Sequence, residues 1–202
     1  FVAAAEALAE QGYRVLVPRQ PNHGFADVLN RALGEGTVAD LTGHADTCID
    51  IAAGFGAPVW VAGLSAGALL AAWAAATRPE VQRLLLLAPL VAPKATPMPL
   101  VRLLVKHPGR VGRIYYWWDP RAKEKLGHSP YAYPGFPVAG LLAYLTLAVA
   151  LLDGRVTPGH QLERAALTTN PGDFAIRHDL ARAFATQVFA RNAVYYGEAT
   201  FD

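Results

Sequence analysis

The chain has 202 residues, 53% of them hydrophobic and 17% charged, with a formal net charge of +2. That is enough apolar side chain for one respectable core with an insertion, and too much for a disordered segment. Eighteen basic against 16 acidic residues leave no electrostatic footprint for nucleic acid, and the single cysteine, Cys48, excludes an internal disulfide and a cysteine-based zinc site.

Phe1–Glu10 reads as a helix already under way, closed by Gly12 as its C-cap. The chain therefore reads as truncated at its start, and the lack of a leader sequence says nothing about destination. Tyr13–Val17 reads as a buried strand stopped by Pro18, and a loop with Pro21-Asn22-His23-Gly24 follows. Thr37-Val38-Ala39-Asp40 resembles a capping box opening a helix whose apolar face carries Leu41, Ala45, Cys48, Ile49 and Ala52. On that face Cys48 reads as a small buried hydrophobe, not a reactive thiol.

Val59–Ala62 is the next strand, and Ala68–Ala74 begins a helix running to about Thr77. Arg83–Ala88 is another strand. Continuous apolar strands alternating with helices imply a mostly parallel sheet with helices on both faces. The rhythm breaks between Pro89 and Gln161, a stretch rich in proline and aromatic residues that includes Tyr115-Tyr116-Trp117-Trp118. Phe136–Leu152 is uncharged over 17 residues, short of the roughly 20 needed to span a membrane, and reads as a buried cap helix. The rhythm then resumes with a strand at Ala165–Thr169, a turn at Asn170–Asp173, a helix from about Ile176 to Arg191 and a last strand at Ala193–Glu198.

Chemistry concentrates in Gly63-Leu64-Ser65-Ala66-Gly67, placed between a strand and a helix. A serine between two glycines at such a junction is how a sharp turn exposes a nucleophile, because larger flanking side chains would collide with the strand and helix. The structural alternative is a serine that merely caps the following helix.

With these motifs the chain resembles the α/β-hydrolase superfamily, specifically its carboxylesterase and monoacylglycerol-lipase-like branch. The resemblance also rests on Gly12-Tyr13-Arg14-Val15-Leu16-Val17-Pro18, on Pro21-Asn22-His23-Gly24, and on Asn170-Pro171-Gly172-Asp173-Phe174-Ala175-Ile176. Relatives commonly have glycine where Asn22 stands. The resemblance implies an α/β-hydrolase core at 1–92 and 162–202, incomplete at both ends, and a helical cap at 93–161 inserted after the family's sixth strand. It implies Ser65 as nucleophile, the backbone N–H of Ala66 in the oxyanion hole, Gly63 and Gly67 as the elbow glycines, and Asp173 as the triad acid. A turn or helix-capping role is the alternative for Asp173, and Asp153 and Asp179 are weaker acid candidates.

No histidine follows the last strand, where the family's base belongs. His178 shares a helix with the acid turn and reads as a solvated helix residue. His23 reads as a hydrogen-bonded loop residue and His44 as solvent-facing. His107, His128 and His160 fall in the insertion, without metal-ligand spacing. The base is expected roughly 10–20 residues beyond Asp202, given the short connections of such folds. The second oxyanion donor is expected upstream of Phe1, and the segment alone is expected to be inactive.

The implied activity is hydrolysis of a carboxylic ester of a hydrophobic acyl group through an acyl-serine intermediate, with no metal or organic cofactor. Alternatives are an acyltransferase or thioesterase on the same fold, or a noncatalytic binding protein. The implied partner is a small-molecule ester. The basic stretch Arg102, Lys106, Arg110, Arg113, Arg121, Lys123 and Lys125 reads as a solvated cap face before it reads as a lipid contact. A cytoplasmic location is the working expectation, and the oligomeric state is left open.

Overall fold

A computed structural model describes residues 2–56, 58–117 and 133–200. The elements in chain order are α1 (Val2–Glu10), a 3-10 turn (Ala32–Glu35), α2 (Val38–Gly54), β1 (Val59–Leu64), α3 (Ala66–Thr77) and β2 (Val81–Leu87). Between β2 and the next strand of the sheet lie α4 (Met98–Lys106), a 3-10 turn (Pro108–Arg110), β3 (Tyr115–Trp117), β4 (Gly135–Pro137) and α5 (Val138–Leu152). The chain continues with β5 (Leu162–Thr169), α6 (His178–Phe189) and β6 (Ala193–Thr200).

Four strands form a parallel sheet in the order β1-β2-β5-β6. The central pair, β2 and β5, carries Val81, Leu84, Leu86, Leu162, Ala165 and Leu167, each no more than 3% exposed. Beneath them α3 is apolar all round and is wedged between the sheet and α5. Small side chains make that possible, since Ala68, Ala72 and Ala75 let α3 approach its neighbours closely.

The uncharged run before Leu152 becomes α5, whose residues from Gly140 to Leu145 are all buried. It packs against α2, α3, α4 and α6, so the helix that closes the insertion is also part of the core. No helix among the described residues is long and apolar enough to cross a membrane. Against the start of α5 sits the 3-10 turn at Ala32–Glu35, so close that a Cβ on Gly140 would meet the Leu33 carbonyl and one on Gly34 would meet Pro137 Cβ at 2.8 Å.

Several local expectations hold at residue level. Thr37 and Asp40 form both bonds of a capping box, Asp40 N–H to Thr37 Oγ1 at 3.1 Å and Thr37 N–H to Asp40 Oδ2 at 2.9 Å. Gly12, at φ +89°, turns the chain out of α1. Asn22 adopts φ 60°, the left-handed conformation that glycine favours and asparagine tolerates.

Others are corrected. Tyr13–Val17 is not a buried strand: the run is unpaired, with Val15 37%, Leu16 36% and Val17 53% exposed. A strand exists only through its ladder, and no described strand pairs with this run to supply one. Its anchor is instead the Tyr13 ring, 5.0 Å from that of Trp60 on β1. Tyr115–Trp117, read only as an aromatic cluster, is a strand paired antiparallel with Gly135–Pro137. Cys48 is half-buried, its Sγ 3.5 Å from His44 Nε2. His44 is therefore half-buried too, because α2 turns that side toward the loop carrying His23. Trp118, Arg121, Lys123, Lys125 and His128 lie outside the described residues.

Candidate active site

The site gathers at the C-terminal edge of the sheet, where β1 ends at Leu64 and β5 ends at Thr169. Ser65 is the one-residue hinge between β1 and α3, at φ 55° and ψ −118°. A residue with a Cβ in that region carries roughly 1–3 kcal/mol of strain, which persists only where the surroundings impose it. They do so here. Ser65 N–H donates to Leu87 O at 2.9 Å, and Ser65 O accepts from Ala68 N–H at 3.1 Å and Leu90 N–H at 3.2 Å.

Gly63 makes the hinge possible: a Cβ there would strike the Gly67 carbonyl and the Ala68 Cα at 2.7 Å. Gly67 leaves room for the Gln20 side chain, whose Nε2 would stand 3.1 Å from a Cβ at that position. The Ser65 hydroxyl makes no capping hydrogen bond to α3. The capping explanation for this serine therefore fails. Its hydroxyl stands at the N-terminus of a 12-residue helix, beside the Ala66 N–H, where first-turn donors lack intrahelical partners.

Asp173 leaves the same edge one strand beyond β2. Its Oδ1 accepts from Ala175 N–H at 2.7 Å and Ile176 N–H at 3.3 Å, while its own N–H donates to Asn170 O at 3.1 Å. One carboxylate oxygen thus holds the turn together, and Oδ2 has no partner among the described residues. Neighbouring strands lie about 4.8 Å apart, so the starting points of the two turns are separated by roughly 10 Å. The segment after β2 ties them: Ala88 N–H donates to Thr168 O at 2.8 Å, Lys94 N–H to Ala175 O at 3.0 Å, and Lys94 Nζ to Asp173 O.

The remaining candidates are elsewhere or otherwise engaged. Asp153 pairs with Arg102 and Arg155, and Asp179 pairs with Arg177. His23 donates from Nδ1 to Pro21 O at 2.9 Å and stacks on Tyr133, as a loop histidine would. His44 has its pKa lowered by burial and then by the His23 charge, and burial raises the Cys48 thiol, so the pair is neutral and not an activated thiolate. His160 Nε2 lies 2.9 Å from Val81 O, at the opposite edge of the sheet. His178 begins α6 and is half-buried, with its Nδ1 enclosed and without a hydrogen-bond partner among the described residues. Among the described residues no three of His, Cys, Asp and Glu gather as metal ligands would.

Gln20 and Tyr144 are what the sequence reading missed. Tyr144 Oη donates to Gln20 Oε1 at 2.6 Å across 124 residues of chain. No local signal announces such a pair. A cavity of about 300 Å³ lined by Leu151, Val156, Thr157, Gln187, Val188 and Asn192 lies at the other edge, beside the start of β6 and away from Ser65.

Among the solved structures that share this fold are three lipases or lipolytic enzymes. One, from the metagenome-derived lipolytic enzymes LipS and LipT, superposes with a TM-score of 0.70 at 18% identity, over 100% of this chain and 77% of that one. A soluble variant of monoglyceride lipase from Saccharomyces cerevisiae, in complex with a substrate analog, gives 0.61 at 12% identity, over 90% of this chain and 66% of that one. The monoacylglycerol lipase of Paleococcus ferrophilus gives 0.53 at 16%, over 82% and 66%. At these identities the likeness is one of fold. Comparison with curated proteins finds no match. The family Hydrolase_4, described as serine aminopeptidase, S33, matches residues 1–134, a span that holds Ser65 and both elbow glycines and stops short of Asp173. The chain belongs to this S33 serine aminopeptidase family of α/β hydrolases.

Proposed function

We propose that the protein hydrolyses carboxylic esters of hydrophobic acyl groups through an acyl-serine intermediate. The observation that carries the reading is Ser65, strained at φ 55° at the head of α3, its hydroxyl making no capping bond to that helix. Ser65 Oγ attacks the acyl carbon while a histidine base takes its proton. Asp173 Oδ2 holds that imidazole in the required tautomer and stabilises its cation. The Ala66 N–H donates to the oxygen that becomes negative, and such a donor is worth about 3–4 kcal/mol in the transition state. The alcohol leaves with the proton, and water then releases the acid by the same route in reverse.

The hydrophobic acyl preference is supported by exposed apolar side chains on the insertion, Leu100, Leu103 and Ile114, at 41%, 53% and 56%. The chain spans 77% of one structural relative and 66% of two others, so the activity proposed is that of the full-length protein.

A fluorophosphonate probe tests the reading. The full-length protein should be labelled on Ser65, and Ser65→Ala should abolish both labelling and turnover of p-nitrophenyl esters. Absence of labelling in the wild type would remove the hydrolase reading. Equal rates for acetyl and octanoyl esters would remove the acyl preference.

A further inference from the structure

Gln20 stands where the elbow meets the insertion. Its Nε2 would stand 3.1 Å from a Cβ built on Gly67, the second residue of α3. Its Oε1 accepts from Tyr144 Oη at 2.6 Å. Tyr144 is 6% exposed, and burial pushes its phenol well above the ordinary tyrosine range, so it stays a neutral donor. An amide held by its oxygen has one orientation left: Oε1 toward α5, Nε2 toward the first turn of α3. The Nε2 hydrogens have no acceptor among the described residues.

A half-buried donor with no acceptor among the described residues, beside the first turn of the helix that Ser65 heads, has the form of an electrostatic stabiliser set in place before the reaction. We propose that Gln20 is a catalytic residue of the Ser65 site, donating from Nε2 to the acyl oxygen alongside the Ala66 N–H, and that Tyr144 is its positioning residue. The inference rests on the ester-hydrolase reading above. As Ser65 Oγ bonds to the acyl carbon, the carbonyl π pair moves onto the oxygen and the hydroxyl proton passes to the imidazole base. Gln20 then meets a full negative charge where the substrate offered only a dipole, so its contribution grows in the transition state.

The geometry separates this role from mere attachment of α5. Gln20→Leu removes the donor and keeps the bulk. Tyr144→Phe keeps the donor but frees the amide to turn its oxygen toward the charge. The test is the rate of Ser65 phosphonylation by a fluorophosphonate, with kcat and KM for a soluble ester, on full-length protein. There Oγ bonds to phosphorus, fluoride leaves, and the phosphoryl oxygen occupies the place of the acyl oxygen.

Gln20→Leu should slow labelling and kcat by about 10²-fold with KM within about twofold of wild type. Tyr144→Phe should slow both several-fold, and adding it to Gln20→Leu should cost nothing further. Wild-type rates in Gln20→Leu, or a loss confined to Tm, would overturn the inference while leaving Ser65 as nucleophile. If Gln20→Leu does not fold, Tyr144→Phe decides alone, and an unchanged rate there overturns the proposal. A wild-type protein that takes no label on Ser65 removes both readings together.

Discussion

The turn after β1 and the turn after β5 leave the same edge of one sheet, but they are built on different terms. The first holds Ser65 at a φ of 55°, against a glycine whose Cβ would strike the next turn of backbone, with three backbone hydrogen bonds fixing one residue. The second is relaxed, and its defining contacts, from Ala175 and Ile176 N–H to Asp173 Oδ1, are those that any aspartate makes to stabilise a turn. Local structure therefore explains Asp173 almost completely and Ser65 not at all. A residue held in strain without a structural return is the stronger pointer to chemistry. For Asp173 the case rests on its second carboxylate oxygen.

Asp173→Asn separates the turn contacts of that residue from its proposed role as triad acid. Asparagine keeps Oδ1 for the turn and alters Oδ2, so Tm should stay within about 2 °C while kcat falls about 10³–10⁴-fold. A Tm loss with kcat intact would make Asp173 a turn residue only. At the other turn, Gly63→Ala should lower stability by about 3 kcal/mol, since the neighbour it meets is backbone that cannot swing aside. For a chain of this size that is roughly 6–12 °C in Tm by thermal unfolding. A wild-type Tm would mean the elbow is less constrained than its geometry states.

Arg78, at the opposite edge, supplies a control. It joins Asp46 and Asp50 of α2 to Glu80 before β2, with its side chain 17% exposed. Arg78→Ala should cost about 1 kcal/mol and leave Ser65 labelling unchanged. Hydrogen bonding to Arg78 holds the Glu80 carboxyl below the usual glutamate range. That stabilisation is complete above the ordinary glutamate pKa and is lost as pH falls through the depressed value. The Tm gap between wild type and variant should therefore close on acidification. The smallest effect has the opposite sign. Ser65→Gly removes the strain and the proposed nucleophile together, and should gain about 0.5–1 kcal/mol of stability while abolishing activity. A loss of stability would show that the turn suits serine.

What the sequence made legible is what short-range chemistry decides. Thr37 and Asp40 announce their capping box, Gly12 its helix end, and Gly63 and Gly67 the elbow, because each constraint lies within five residues. Tyr13–Val17 misled because an apolar β-prone run carries no information about whether a neighbour is there to bond with it. Trp117 and Gly135 pair across intervening chain, and Gln20 and Tyr144 meet across 124 residues, so neither contact has a local signature. His44 and Cys48 were separable in sequence only as helix positions. Their burial depends on the loop that α2 faces.

Arg83 on β2 lies 4.1 Å over the Trp60 ring of β1 and pairs with Glu163 of β5, so one guanidinium spans three neighbouring strands. Its two contacts differ in kind: the exposed ion pair with Glu163 weakens as salt rises, while the stacked contact also covers apolar ring surface. Raising salt therefore loosens the β5 side of that clasp before the β1 side.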